Sequence, residues 1–265
     1  MQVTAGTRAL ITGASRGIGR ALAIALAARG ATLGLAARST EELTKLAREL
    51  PGDHQVLRCD VADATSTQQA IDHFAIRADG LDLLVANAGV AYYANFAEQP
   101  LEQAVQMTET NWVGTLHTVH FGLPHLLEAH HGHVVIVSSG AGLRSFPQAA
   151  VYGATKSAQR AFGEALRHEL AGTGVSLTVV LPGEIATTLH DHEKHRMPAW
   201  YRGGGNAASP DALAAKIIEA VEHDRAAVHY PRIVRALGIA HGINPKLADA
   251  LLRRLRGDTA APRRD

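Results

Sequence analysis

The chain has 265 residues, of which 46% are hydrophobic and 19% charged, and a formal net charge of +1. That length allows one large α/β domain or two small ones, and the near-neutral charge excludes a strong electrostatic pull toward nucleic acid. The lone cysteine, Cys59, excludes an internal disulfide and fits a reducing cytoplasm, and no apolar run approaches the roughly 20 residues that span a bilayer.

Short apolar runs alternate with longer amphipathic segments, the pattern of βαβ units around a parallel sheet. Residues 8–12 read as the first strand, so close to the first residue that no signal peptide is expected. A helix is predicted over 17–29, a strand over 31–37 and a second helix over 40–50. Further strands are predicted over 55–59 and 81–86, then a long helix over 103–127 and a fifth strand over 133–138. The helix carrying Tyr152 and Lys156 runs to about residue 171, and residues 175–181 read as the sixth strand. No internal repeat or linker interrupts the series, and the softest spot, Gly203 to Gly205, lies in a loop of the last third. One domain is expected.

Thr12-Gly13-Ala14-Ser15-Arg16-Gly17-Ile18-Gly19 joins the first strand to its helix. Glycines there permit a tight turn and let backbone N–H groups approach a phosphate at a helix N-terminus. The spacing is GxxxGxG rather than the general GxGxxG. Where an acidic residue would accept the hydroxyls of a ribose, the second strand ends in Ala37 and Arg38. Arg38, with Arg16, offers a charge-assisted fork for a 2′-phosphate, so NADP(H) is expected ahead of NAD(H). Tyr152 and Lys156 stand four residues apart, on one helix face. A neighbouring cation favours phenolate, so Lys156 is expected to lower the pKa of Tyr152. Ser138 and Ser139 end the preceding strand, where a hydroxyl can orient a substrate oxygen.

Taken together, residues 7 to about 230 resemble the short-chain dehydrogenase/reductase family in its single-domain branch. Residues 12–19 are similar to the family's cofactor motif, Asp60 and Val61 to its adenine contact, and Asn87-Ala88-Gly89 to the turn that supports its central sheet. Asn111 falls where the family holds a relay water, while Ser139, Tyr152 and Lys156 match the remaining catalytic positions, with spacing favouring Ser139 over Ser138. Pro182, Gly183, Ile185 and Thr187 resemble the segment that fixes the nicotinamide carboxamide. The resemblance implies a doubly wound Rossmann-type parallel β-sheet with helices on both faces. It also implies hydride transfer between nicotinamide and a carbonyl or carbinol carbon. In that reaction Tyr152 exchanges the oxygen's proton, Lys156 holds the ribose, Ser139 orients the carbonyl and Asn111 leads to solvent. It implies a homodimer or homotetramer built through the helices holding Asn111 and Tyr152. Two alternatives stay open: an NAD(H)-dependent alcohol dehydrogenase, and a non-catalytic cofactor-sensing regulator on the same fold.

Substrate contacts are expected from residues 90–96, 140–149 and a flexible lid over 185–209. Tyr92, Tyr93, Phe96, Phe146, Pro147, Met197, Trp200 and Tyr201 make those segments apolar, which suits a hydrophobic ketone or alcohol. His190, His192 and His195 with Asp191 and Glu193 read as a solvated loop, and no metal site is assigned. His130, His131 and His133 sit where cationic imidazoles would favour a helix C-terminus. Cys59 is expected to be buried and unreactive. Residues 231–257 read as a helical extension, with Leu247, Leu251 and Leu255 on one stripe, suited to packing, to a subunit contact or to a membrane surface. The domain is thus expected over 1–257, with a disordered tail over 258–265.

Overall fold

The computed structural model describes residues 1–189 and 207–246. Within them, β1 (Arg8–Thr12), β2 (Thr32–Ala37), β3 (Gln55–Arg58), β4 (Leu83–Ala86), β5 (Gly132–Val137), β6 (Val175–Pro182) and β7 (Ala227–Tyr230) form one parallel sheet in the order β3-β2-β1-β4-β5-β6-β7. The helices are α1 (Gly17–Ala27), α2 (Thr40–Glu49), α3 (Ala64–Arg77), α4 (Leu101–Met107), α5 (Gly114–Ala129), α6 (Ala150–Glu169), α7 (Pro210–Glu222) and α8 (Ile233–Ile243).

The two-residue period of a strand sorts the core into two layers. Ile11, Leu83, Val85, Val135 and Val137 face a cluster completed by Leu22 and Leu26 of α1, Leu43 of α2 and Ile217 of α7. Their neighbours Leu10, Leu84, Ala86, Val134 and Ile136 face the other side, against Phe74 of α3, Leu126 of α5 and Leu166 of α6. Strands buried on both faces read as continuous apolar runs, which is why these segments show no alternation in the sequence. The result is the expected doubly wound sheet.

Three elements add to the sequence reading: α3, α7 and β7. The long helix predicted over 103–127 is resolved into α4, a π-helical turn over Thr108–Val113, and α5. In the C-terminal extension, α8 closes at Asn244, and the leucine stripe from Leu247 onward lies outside the described residues. Among the described residues no helix is long and apolar enough to cross a membrane. The glycines at 203–205, the histidine-rich run 190–195, Met197, Trp200 and Tyr201 also lie outside them. The two edges of that segment are pinned together, because Ile185 bridges Ala208 and the Ala186 N–H donates to the Ala208 carbonyl at 2.9 Å.

Candidate active site

From β1 the chain runs outward to β2 and β3, then returns to β4 on the other side of β1. Where strand order reverses in this way, the carboxyl ends of the two central strands part and leave a crevice. A cavity of about 550 Å³ occupies it.

The ends of β1 and β4 are tied across that crevice. Thr12 Oγ1 donates to the Val85 carbonyl at 3.1 Å and accepts the Asn87 N–H at 3.1 Å, while Asn87 Nδ2 donates to the Thr12 and Gly13 carbonyls at 2.9 and 3.1 Å. Gly13 has φ +68°, and a Cβ there would lie 2.8 Å from Ala88 Cα. A Cβ at Gly19 would lie 2.4 Å from the Gly13 carbonyl oxygen. Thr12 and Gly19 therefore stand behind the wall and let α1 seat against the turn. Gly13, Ser15, Arg16, Gly17 and Ile18 line the cavity itself.

Gly17 has φ +58°, and among the described residues only Thr187 comes within 4 Å of where its Cβ would stand. Arg16 at the N-cap makes no side-chain capping bond, and no acidic residue occupies the first turn of α1. A helix N-terminus left in this way favours an anion. A dinucleotide pyrophosphate fits this cradle. Beyond it Arg38 and Ser39 line the cavity after β2, and Asp60 and Val61 line it after β3.

The opposite end of the predicted constellation also converges on the cavity. Ser139, Tyr152, Lys156, Asn87, Ala88, Gly89, Pro182, Gly183, Ile185 and Thr187 all line it. The Ser139 hydroxyl accepts the Ala141 N–H at 3.1 Å and is near enough to the Tyr152 phenol to lower its pKa against the effect of burial. Ser138 is engaged elsewhere, donating to the Lys156 carbonyl at 2.7 Å. Tyr93 packs behind Tyr152 with ring centroids 5.9 Å apart, and Phe146 stacks on Tyr93 at 6.0 Å. Phe96 instead points to solvent, 69% exposed.

The expectation that Lys156 lowers the pKa of Tyr152 is corrected. Burial pushes the phenol up to about 12, against a lowering by the Ser139 bond, and pushes the Lys156 ammonium down to about 7. Lys156 Nζ donates to the Val137 carbonyl at 3.1 Å and stands over the Tyr152 ring, 5.8 Å from its centroid. In so enclosed a place, desolvation of each charged form dominates.

Asn111 is fully buried and sits one layer behind the cavity, on the π-helical turn. Its side chain accepts the Val90 N–H at 2.8 Å and donates to the Val90 carbonyl at 3.0 Å and to Thr155 Oγ1 at 3.1 Å. A Cβ on Gly89 would stand 3.2 Å from Asn111 Oδ1 and 3.6 Å from Lys156 Nζ, so a side chain there would press on the Asn111 amide. The Asn111 carbonyl accepts from Thr115 Oγ1 at 2.7 Å and from Gln159 Nε2 at 2.9 Å. Gln159 was legible only as the next position after Lys156 on the same helix face. Gln106 and Thr110 line the cavity without any such signal. Cys59 lines it too, and burial pushes its thiol up to about 11. Among the described residues no three His, Cys, Asp or Glu side chains converge.

Residues 7–198 match the short chain dehydrogenase family. The chain belongs to the short-chain dehydrogenase/reductase family. An uncharacterized oxidoreductase of Myxococcus xanthus is 38% identical over 193 residues, covering 72% of this chain and 76% of that one. A short-chain dehydrogenase/reductase of Burkholderia phymatum in complex with NAD superposes with a TM-score of 0.85 at 26% identity, over 93% of this chain and 96% of that one. An alcohol dehydrogenase of Thermococcus sibiricus complexed with 5-hydroxy-NADP superposes at 0.72 and 28% identity, over 84% and 94%. As a short-chain dehydrogenase/reductase the chain is an oxidoreductase, and the cavity at its switch point is where such an enzyme's chemistry belongs.

Proposed function

We propose that this oxidoreductase is NADP(H)-dependent and interconverts a hydrophobic ketone and its secondary alcohol. The observation that carries this reading is that Ser139, Tyr152 and Lys156 line the same cavity as the turn at the N-terminus of α1. The backbone of residues 13–18 holds the pyrophosphate, with Thr12 and Gly19 shaping the turn. Asp60 and Val61 bind the adenine side, Asn87 to Gly89 the middle, and Pro182, Gly183, Ile185 and Thr187 the nicotinamide side. The bound nicotinamide supplies or takes the hydride.

Tyr152 holds the proton at its phenol oxygen. Burial keeps that oxygen protonated at neutral pH, as proton donation to a carbonyl requires. Ser139 orients the substrate oxygen beside the phenol and Lys156 positions the ribose, while Asn111, whose amide is engaged by Val90 and Thr155, braces the loop after β4 against α6 rather than leading to solvent. Val90, Tyr92 and Leu189 make the substrate side largely apolar. The neighbours' complexes with NAD and with an NADP analogue favour a nicotinamide dinucleotide. Arg16 and Arg38, with no carboxylate at Ala37, select the 2′-phosphate. Exposed Phe96, Leu101 and Val105 favour a homodimer or homotetramer.

Equilibrium binding of NADPH and NADH at one fixed ionic strength tests the cofactor. NADPH is expected to bind at least about tenfold tighter, and Arg38→Asp to abolish that margin while NADH affinity changes about threefold or less. Equal losses for both cofactors would overturn the 2′-phosphate assignment. Tyr152→Phe is expected to keep NADPH binding and to lose about 10²- to 10⁴-fold in kcat. Undiminished turnover would refute the proton-transfer role.

A further inference from the structure

The substrate side of the cavity carries a polar pair that proton transfer does not use. Tyr92 and Gln106 both line the cavity, and the Tyr92 hydroxyl donates to Gln106 Oε1 at 2.9 Å. Tyr92 packs against the apolar cluster that contains Tyr152, Tyr93 and Met107, and its backbone N–H meets Met107 Sδ at 3.4 Å. The loop after β4 and helix α4 are therefore fixed to each other at this point. The bond to Tyr92 turns Oε1 toward the phenol and leaves the two N–H donors of the Gln106 amide for another partner. That amide nitrogen has no hydrogen-bond partner among the described residues and is open to the cavity.

Charge narrows what such a donor can meet. The cations lining the cavity, among the described residues, are Arg16, Arg38 and Lys156. The two arginines belong to the phosphate end, and Lys156 is committed to the Val137 carbonyl. Among the described residues a carboxylate beside Gln106 would have no cation to pair with, whereas a neutral oxygen would complete the amide.

We propose that Gln106, held by Tyr92, selects substrates that carry a second, neutral hydrogen-bond acceptor in addition to the reacting carbonyl, such as an ester, amide or ketone oxygen. This rests on the ketone–alcohol reading above. A site built to donate a hydrogen bond discriminates against an analogue that cannot accept one, because the amide is then desolvated and left unpaired.

The test compares ethyl 3-oxobutanoate with 2-heptanone, and ethyl 4-oxopentanoate with 2-octanone, as pairs matched in chain length. An ester close to a ketone raises its intrinsic reactivity, so the deciding quantity is how the kcat/KM ratio within a pair changes on substitution. In at least one pair Gln106→Leu is expected to lower the ratio about tenfold or more, with the variant's thermal midpoint near that of the parent. Gln106→Glu keeps an acceptor for Tyr92 but removes the donors, and is expected to lower the ratio as far. Tyr92→Phe frees the amide and gives a smaller fall. Ratios unchanged within about threefold in Gln106→Leu would overturn the proposal while leaving the oxidoreductase reading in place. A ratio retained in Gln106→Glu would overturn the donor assignment. If no pair is turned over with either cofactor although nucleotide binds, the ketone–alcohol reading falls, and this proposal falls with it.

Discussion

Two histidines separated by a single residue are shifted in opposite directions, one by its hydrogen bonds and the other by burial. His131 is half exposed, and its pKa is raised by its bond to the Ala129 carbonyl and by Asp82, whose oxygen lies 2.8 Å from Nε2. His133 is fully buried on β5, and burial pushes its pKa down to about 4 against a small opposing pull from Asp224. Its Nε2 meets Thr178 Oγ1 at 2.7 Å, and because that hydroxyl donates to the Arg225 carbonyl, Nε2 is the donor and Nδ1 is left bare and unpartnered. His133 is therefore neutral, which corrects the expectation of a cationic cluster at this turn. An unfolded chain takes up the proton near pH 6.5 and the folded one only near 4. The contribution of His133 to stability is thus complete above about pH 6.5 and is lost as pH falls toward 4, about 3 kcal/mol in all. His133→Leu is expected to flatten the fall in denaturation midpoint over that window, and a variant with an undiminished slope would show that other groups carry it.

At the scale of elements, the β1–α1 connection is the least tolerant of change. Gly19→Ala would place a methyl 2.4 Å from the Gly13 carbonyl, a backbone atom that cannot turn aside. The first turn of α1 must then lift away, with an expected loss of about 2 kcal/mol or more and of NADPH binding, measured by thermal unfolding and fluorescence titration. A variant with parental stability and affinity would mean that the turn yields. Other elements had local signals as well. For α3 these are Asp63, whose side chain accepts the Ser66 N–H at 3.0 Å, and the buried Ala70, Ile71, Phe74 and Ala75 that follow. For α7 they are the Ser209 cap, Pro210 at the first turn, and Leu213, Ile217 and Val221 at helical spacing. The π-helical turn under Asn111 had no such signal, because its register is set by partners from other elements, Val90, Thr155 and Gln159.

At the scale of the molecule, one valine links the C-terminal extension to the site. Val234 of α8 is buried between two glycines: Cβ atoms added at Gly140 and Gly183 would meet it at 3.1 and 2.9 Å. Gly140 follows Ser139, and Gly183 belongs to the nicotinamide-side segment. Gly183→Ala is expected to push α8 outward, lowering the thermal midpoint by several degrees and weakening NADPH binding, and Val234→Ala to relieve much of both in the double variant. Strict additivity of the two changes would show that they are uncoupled.

The phosphate turn, the apolar strands of a parallel sheet and the Ser139, Tyr152 and Lys156 constellation were determined by sequence alone, because each depends on local spacing: glycines where the backbone must turn tightly, apolar runs where both faces are covered, and hydroxyl and amine one helical turn apart. Only the tertiary structure decided that Ser138 binds the Lys156 carbonyl, that Tyr93 and Phe146 pack behind the site while Tyr92 lines it, and that burial sets the protonation of Tyr152, Lys156 and His133. Those outcomes depend on which distant segment excludes water from each group, and desolvation is a property of the whole fold rather than of neighbours in the chain.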